Sequence, residues 1–172
     1  LLFAFSSTIT MGAPAARQGA DKGYKSVYTP LAELNCITTK QWEQGAELEC
    51  PGIAGYRVRL LDDDARQSLT LIKNGKKHPL NFWSTVSSDF SELGKLIEWR
   101  VSVDERNNEI YPVALIVRYI SGNRRKIPNL VLVDLQRQDI CAVSIIPPSK
   151  GQNQSARNRA NQATGLNCLG SR

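Results

Sequence analysis

Four cysteines, one histidine, a run of three aspartates and an uneven scatter of arginine and lysine are the residues of this chain whose types could support chemistry. The cysteines are Cys36, Cys50, Cys141 and Cys168. No CxxC spacing occurs, and the sole histidine, His78, has no cysteine near it in sequence, so no local set resembles a tetrahedral zinc site. The thiols therefore read as two disulfides. Four cysteines allow three connectivities. The local one, Cys36 with Cys50 and Cys141 with Cys168, is expected because each pair brackets a segment that can fold back on itself. By loop-closure entropy each bridge contributes about 3 kcal/mol.

Any histidine-dependent nucleophile or acid–base mechanism must go through His78, which precedes a proline in an irregular stretch. No G-x-S-x-G surrounds a serine and no S-x-x-K pair is present, so His78 is expected in a loop or at the surface and no catalytic residue is assigned. Asp62, Asp63 and Asp64 could donate oxygens to a cation, but consecutive residues of an extended chain point to opposite sides, and the spacing lacks the alternating acids and glycine of a calcium loop. A solvated turn that blunts a sheet edge is the expectation. Glu98 and Asp134 are candidates for paired-carboxylate hydrolysis, which needs two acids converging in a cleft. Nothing in their spacing brings them together. Glu98 is expected on the outer face of its strand, beside an arginine of the next one. No metal and no cofactor is implied.

Charge carries the most functional information. The chain has 22 Lys+Arg against 16 Asp+Glu, a formal net charge of +6. Arg124-Arg125-Lys126 form one cluster; Lys150, Arg157, Arg159 and Arg172 lie in a tail without acids. Basic surfaces concentrate anionic partners, so Arg124, Arg125, Lys126, Arg157 and Arg159 are the candidate contacts for an anionic envelope component or an acidic protein. Nucleic acid is not expected. Solvation alone is the competing explanation for such charge.

Positioning these residues falls to a β-rich framework. Leu1 to Ala15 carries no charge and passes from an apolar run to Ala13-Pro14-Ala15, the pattern of a secretory signal peptide and its cleavage site. Residues 16–26 are expected as a flexible lead-in, and 27–172 as one domain. No stretch reaches the roughly 20 apolar residues of a membrane-spanning helix. Thr29-Pro30 opens a single helical turn. Strands are expected over Cys36 to Trp42 and Ala46 to Cys50, which set Cys36 opposite Cys50, then over Tyr56 to Leu60, with Arg57 and Arg59 on its outer face, and Gln67 to Ile72. A long packed loop follows over Lys76 to Gly94. Leu96 to Val103, Val113 to Ile120, Asn129 to Leu135 and Ile140 to Ile146 complete the strands. Val113 to Val117 is apolar on both faces, as in a strand covered on each side. Gln152 to Ala163 reads as a helix, weakly amphipathic through Ala156, Ala160 and Ala163. The fold expected is mainly β, antiparallel, of six to eight strands in a sandwich or partly closed barrel, with a short N-terminal helical turn and a C-terminal helix.

Tyr28 with Pro30 and Leu31 before Cys36, Cys50-Pro51-Gly52 with Gly55, Glu98-Trp99-Arg100, Ile140-Cys141-Ala142 and the Ala/Arg/Asn-rich tail ending at Cys168 are the features by which the chain resembles a family of small secreted or periplasmic bacterial proteins of unknown function. The resemblance implies export and a β-rich fold, and carries no activity or catalytic residue with it. The expected function is a non-catalytic binding or inhibitory module of the cell envelope, secreted or periplasmic and monomeric. An envelope hydrolase with unidentified carboxylates and a structural envelope component are the alternatives.

Overall fold

Val113–Val117 is apolar on both sides of the strand, and the fold gives each side its own cover. The computed structural model describes residues 23–170. The export pattern of Leu1 to Ala15, most of the lead-in and Arg172 lie outside the described residues. In chain order the elements are β1 (Tyr24–Pro30), a 3₁₀ turn (Glu33–Asn35), β2 (Ile37–Trp42), β3 (Gly45–Cys50), β4 (Tyr56–Asp63), β5 (Arg66–Lys73), β6 (Lys76–Pro79), α1 (Phe82–Thr85), β7 (Ser91–Asp104), β8 (Glu109–Ser121), β9 (Ile127–Asp134), β10 (Cys141–Ile146) and α2 (Gln152–Ala160).

The fold is mainly β, as expected, but the described residues form ten strands rather than six to eight. They form one sheet in the order β10-β9-β8-β7-β5-β4-β3-β2, with β1 on β7 and β6 on β5. Among the described residues this single sheet takes the place of two stacked ones. Every pairing is antiparallel except a single parallel contact, Arg66 opposite Ser91, between β5 and β7. The sheet stays open but curls, so that the Tyr56 ring of β4 meets the Trp99 ring of β7 at 5.5 Å between centroids.

The two additional strands are the polar ones. β1 occupies part of the expected lead-in and helical turn, and its residues are mostly half-buried without clean alternation. It is held by antiparallel register, Val27 opposite Trp99 and Thr29 opposite Ile97. Pro30 closes this strand, a position where the missing N–H costs little, and the helical turn begins only at Glu33. β6 replaces the start of the expected long loop. It follows an Asn74-Gly75 turn with φ of 51° and 79°, the left-handed pair that a two-residue hairpin requires.

The concave face carries the main core. Val58, Leu60, Leu69, Leu71, Ile97, Trp99, Leu115, Val117, Val131 and Val133 pack there. Trp99 is fully buried and its Nε1 donates to Thr29 Oγ1 at 2.9 Å, which satisfies the one polar atom of a large apolar side chain. On the opposite face Ala114, Ile116, Leu130, Leu132 and Val143 meet Ala156, Ala160 and Ala163 of the C-terminal segment. Each of those alanines is fully buried. Alanine lets the helix lie close to the sheet but buries little area, so α2 depends on further ties. The Cys141–Cys168 disulfide is one, and the Leu169 N–H donating to Ala142 O at 2.8 Å is another. Cys36 and Cys50 are joined as well, stapling the β2–β3 hairpin. Both bridges follow the local pairing expected.

Candidate functional site

Side chains alternate along a strand, so Ala114, Ile116, Arg118 and Ile120 of β8 share one face of the sheet, and the first three of them meet α2. Arg118 is the one charge in that row. Its stem fits because β7 has Gly94 alongside: a Cβ there would stand 2.9 Å from Arg118 Cβ. Arg118 Nη1 donates to Gln152 Oε1 at 3.2 Å and Nη2 to Asn153 Oδ1 at 3.3 Å, both from the first turn of α2. No carboxylate pairs with it among the described residues. The neutral amides that hold this half-buried guanidinium satisfy its hydrogen bonds without offsetting its charge.

Arg118 lines a groove of about 230 Å³ between α2 and the β1–β7 edge. The groove is also lined by Ile116 and Leu130 of β8 and β9, by Leu96, Glu98 and Tyr28 of β7 and β1, and by Asn153 and Arg157 of α2. Arg157 and Glu98 neutralise one another. Arg157 Nε donates to Glu98 Oε1 at 2.6 Å and Nη2 to Tyr28 Oη at 3.0 Å. The Glu98 hydrogen bond is the main reason the guanidinium holds its proton even more tightly than usual, with burial opposing. Ser26 Oγ then donates to Glu98 Oε1 at 2.5 Å and accepts from Arg100 Nη1 at 2.7 Å, while Arg100 Nε and Nη2 reach Asn161 Oδ1 at 3.1 Å. Arg100 is only 2% exposed. This chain of polar groups ties β1, β7 and α2 together.

The five expected contact residues separate into three settings. Arg124, Arg125 and Lys126 are exposed on the β8–β9 turn. That turn starts just past Ser121, about 10 Å along the strand from Arg118, and places the cluster at the end of the sheet near Arg118. Arg159 is exposed on α2. Arg157 is engaged with Glu98 and presents no unbalanced charge. Arg118 was not among the expected contacts, although a lone arginine inside the apolar run Val113 to Ile120 is a sequence signal that its face of the strand carries polar partners.

Other chemical expectations are corrected. Glu98 faces helix α2 rather than an open outer surface, and its arginine comes from that helix instead of the next strand. His78 is neither in a loop nor at the surface: it lies on β6 opposite Leu71 and is 7% exposed. Burial lowers its pKa, Lys76 lowers it further and Asp139 partly restores it. Among the described residues no serine hydrogen-bonds to it. Only Asp64 of the three aspartates occupies a turn. Asp62 and Asp63 end β4, where Asp62 accepts from Gln67 Nε2 at 2.8 Å and Asp63 from Trp42 Nε1 at 3.0 Å. Asp134 is buried and caps the following loop through the Gln136 N–H, and it shares no cleft with Glu98. Among the described residues no group of three or more His, Cys, Asp and Glu side chains is placed to hold a metal ion, and no helix is long and apolar enough to cross a membrane. Comparison with protein-family models, with curated proteins and with solved structures finds no match to this chain.

Proposed function

We propose that the protein is a non-catalytic binding module, inhibitory or scaffolding, that engages an anionic partner at the β8–β9 end of its sheet. The observation carrying this reading is Arg118, a half-buried cation without a counter-carboxylate among the described residues, beside apolar groove residues and on the strand that leads into the exposed Arg124-Arg125-Lys126 turn. An anionic group seated against Arg118 gains charge-assisted hydrogen bonds in a partly desolvated site, and the turn supplies longer-range attraction. Export to the cell envelope, as a monomer, belongs to the same reading. It rests on the signal-like pattern of Leu1 to Ala15, on the resemblance to small exported bacterial proteins and on the two disulfides, which persist in oxidising compartments.

The test is sedimentation with phosphatidylglycerol vesicles and retention on a poly-glutamate resin across a salt series. Binding to at least one probe at low salt is expected, and it should weaken steadily as ionic strength rises. Arg118→Ala and the triple variant Arg124→Ala/Arg125→Ala/Lys126→Ala should each weaken it, while Arg159→Ala should change it least. Absence of binding to both probes at low salt, or binding indifferent to salt and to these variants, overturns the reading.

A further inference from the structure

A cavity larger than the Arg118 groove lies elsewhere, at the end of the sheet where the β2–β3 and β4–β5 hairpin tips meet the α1 segment. Its volume is about 460 Å³, and Asp63, Arg66, Trp83 and Ser88 line it. Cross-strand register explains the arrangement. Trp42 stands opposite Gly45, Gly45 opposite Asp63, and Asp63 opposite Arg66, so these residues form one row on one face of the sheet. Gly45 is required in that row: a Cβ there would stand 2.7 Å from the Trp42 ring, so only its absence lets the indole lie flat across the backbone.

The polar groups around the cavity keep hydrogen-bonding capacity to spare. Asp63 Oδ1 accepts from Trp42 Nε1, leaving Oδ2 without a partner among the described residues. Arg66 is fixed by three contacts: Nη1 to Asp64 Oδ2 at 2.8 Å, Nε to Ser88 O at 3.1 Å, and its guanidinium over the Phe90 ring at 5.3 Å. Its Nη2 has no partner among the described residues. The Ser88 hydroxyl and the Trp83 indole N–H have no hydrogen bond among the described residues either. Around this cleft Trp42 is 40% and Phe90 46% exposed. Exposed rings of this size mark interaction sites when they cluster.

Charge narrows the ligand. The lining sets one aspartate against one arginine that Asp64 already pairs, so the cleft has no excess positive charge to attract a polyanion. The inventory of an acceptor, a guanidinium donor, a hydroxyl and an indole N–H beside a flat aromatic surface matches a neutral pyranose. Its hydroxyls donate and accept together, and its ring C–H groups form an apolar face. The volume lies within the range of small-molecule sites and would hold one or two sugar rings. We infer that the cleft between the hairpin tips and α1 binds neutral pyranose units of a glycan, with Trp83 as the stacking platform and Asp63, Arg66 and Ser88 reading hydroxyls. This site is separate from the Arg118 groove and stands or falls independently of the anion reading.

The test follows the Trp83 indole N–H signal by NMR while the full chain is titrated with three probes: the N-acetylglucosamine tetramer, cellotetraose and maltotetraose. A saturable shift with at least one probe is expected, insensitive to salt. Trp83→Ala should weaken binding by about tenfold or more and Trp83→Tyr should restore most of it, because stacking needs a ring. Asp63→Asn should weaken it severalfold with the backbone spectrum unchanged, which keeps the test valid if the alanine variant misfolds. No saturable shift with any of the three probes up to about 10 mM, a concentration that would reveal even millimolar affinity, overturns the inference. So does binding that both Trp83→Ala and Asp63→Asn leave intact.

Discussion

Arg157 on α2 and Glu98 on β7 meet as a fork, Nε to Oε1 at 2.6 Å and Nη2 to Oε2 at 3.3 Å, across 59 residues of chain. Both side chains are mostly shielded from solvent, so the pair escapes much of the screening that makes surface ion pairs weak. Arg157→Met is expected to destabilise the protein by about 2 kcal/mol, because it strands a shielded carboxylate on β7. Glu98→Gln should cost less, since the amide still accepts from Arg157 and Ser26. Urea unfolding of the two variants gives the comparison, and equal losses would show that the fork has no special weight.

Thr29 offers a cleaner measurement of one buried hydrogen bond. Thr29→Val keeps the shape and removes only the acceptor of the Trp99 indole N–H. Leaving that donor unsatisfied inside the core should cost about 1–3 kcal/mol. A change within a few tenths of a kcal/mol, read from the same unfolding curves, would mean that water reaches the indole.

Intact mass after alkylation, with and without prior reduction, should show no free thiol before reduction and four after it. The double variant Cys141→Ser/Cys168→Ser should destabilise by about 3 kcal/mol and expose the α2 segment to trypsin at Arg157 and Arg159 well before the sheet is cut. The corresponding Cys36→Ser/Cys50→Ser variant should leave that segment protected. Fragment masses over a digestion time course distinguish the two.

His78 predicts a pH dependence with a definite sign. Its pKa in the folded state is below the ordinary histidine value, so as pH falls the unfolded chain takes up the proton first. Stability is complete above about 6.5, the unfolded value, and declines as pH drops toward the lower folded value. His78→Asn should flatten that slope in urea unfolding between pH 5 and 7. Because the chain has a single histidine, its imidazole NMR signals are unambiguous, and a folded midpoint at or above 6.5 would refute the shift.

How legible the molecule was in its sequence depended on what kind of signal each part carried. Hydrophobic alternation marked the strand around Trp99, and the two-sided apolar run of Val113 to Val117 marked the strand with a cover on each face. Cysteine brackets located both bridges. β1 and β6 escaped because their order comes from partners rather than pattern: Tyr24–Pro30 gains its strand from β7, and Lys76–Pro79 is short and basic with only His78 turned inward. The Arg118 groove was hidden for a related reason. Its walls are contributed by β1, β7, β8, β9 and α2, and no local spacing reports which segments the sheet order brings together. The charge count could not reveal that Arg157 is already balanced by Glu98.

The single strand that pairs with β7 from the start of the described chain has a consequence for the order of assembly. The β2–β3, β4–β5, β5–β6 and β8–β9 partners are neighbours in sequence, whereas the bond between Thr29 and Trp99 spans 70 residues. Hairpins can zip as soon as they are synthesised; β1 has nowhere to go until β7 exists. Closing that long span is the slow entropic step of such a topology. Until it happens, the flank of β7 offers open backbone donors and acceptors to any other extended chain, a window during which helper proteins, or a second nascent copy, can compete for the place.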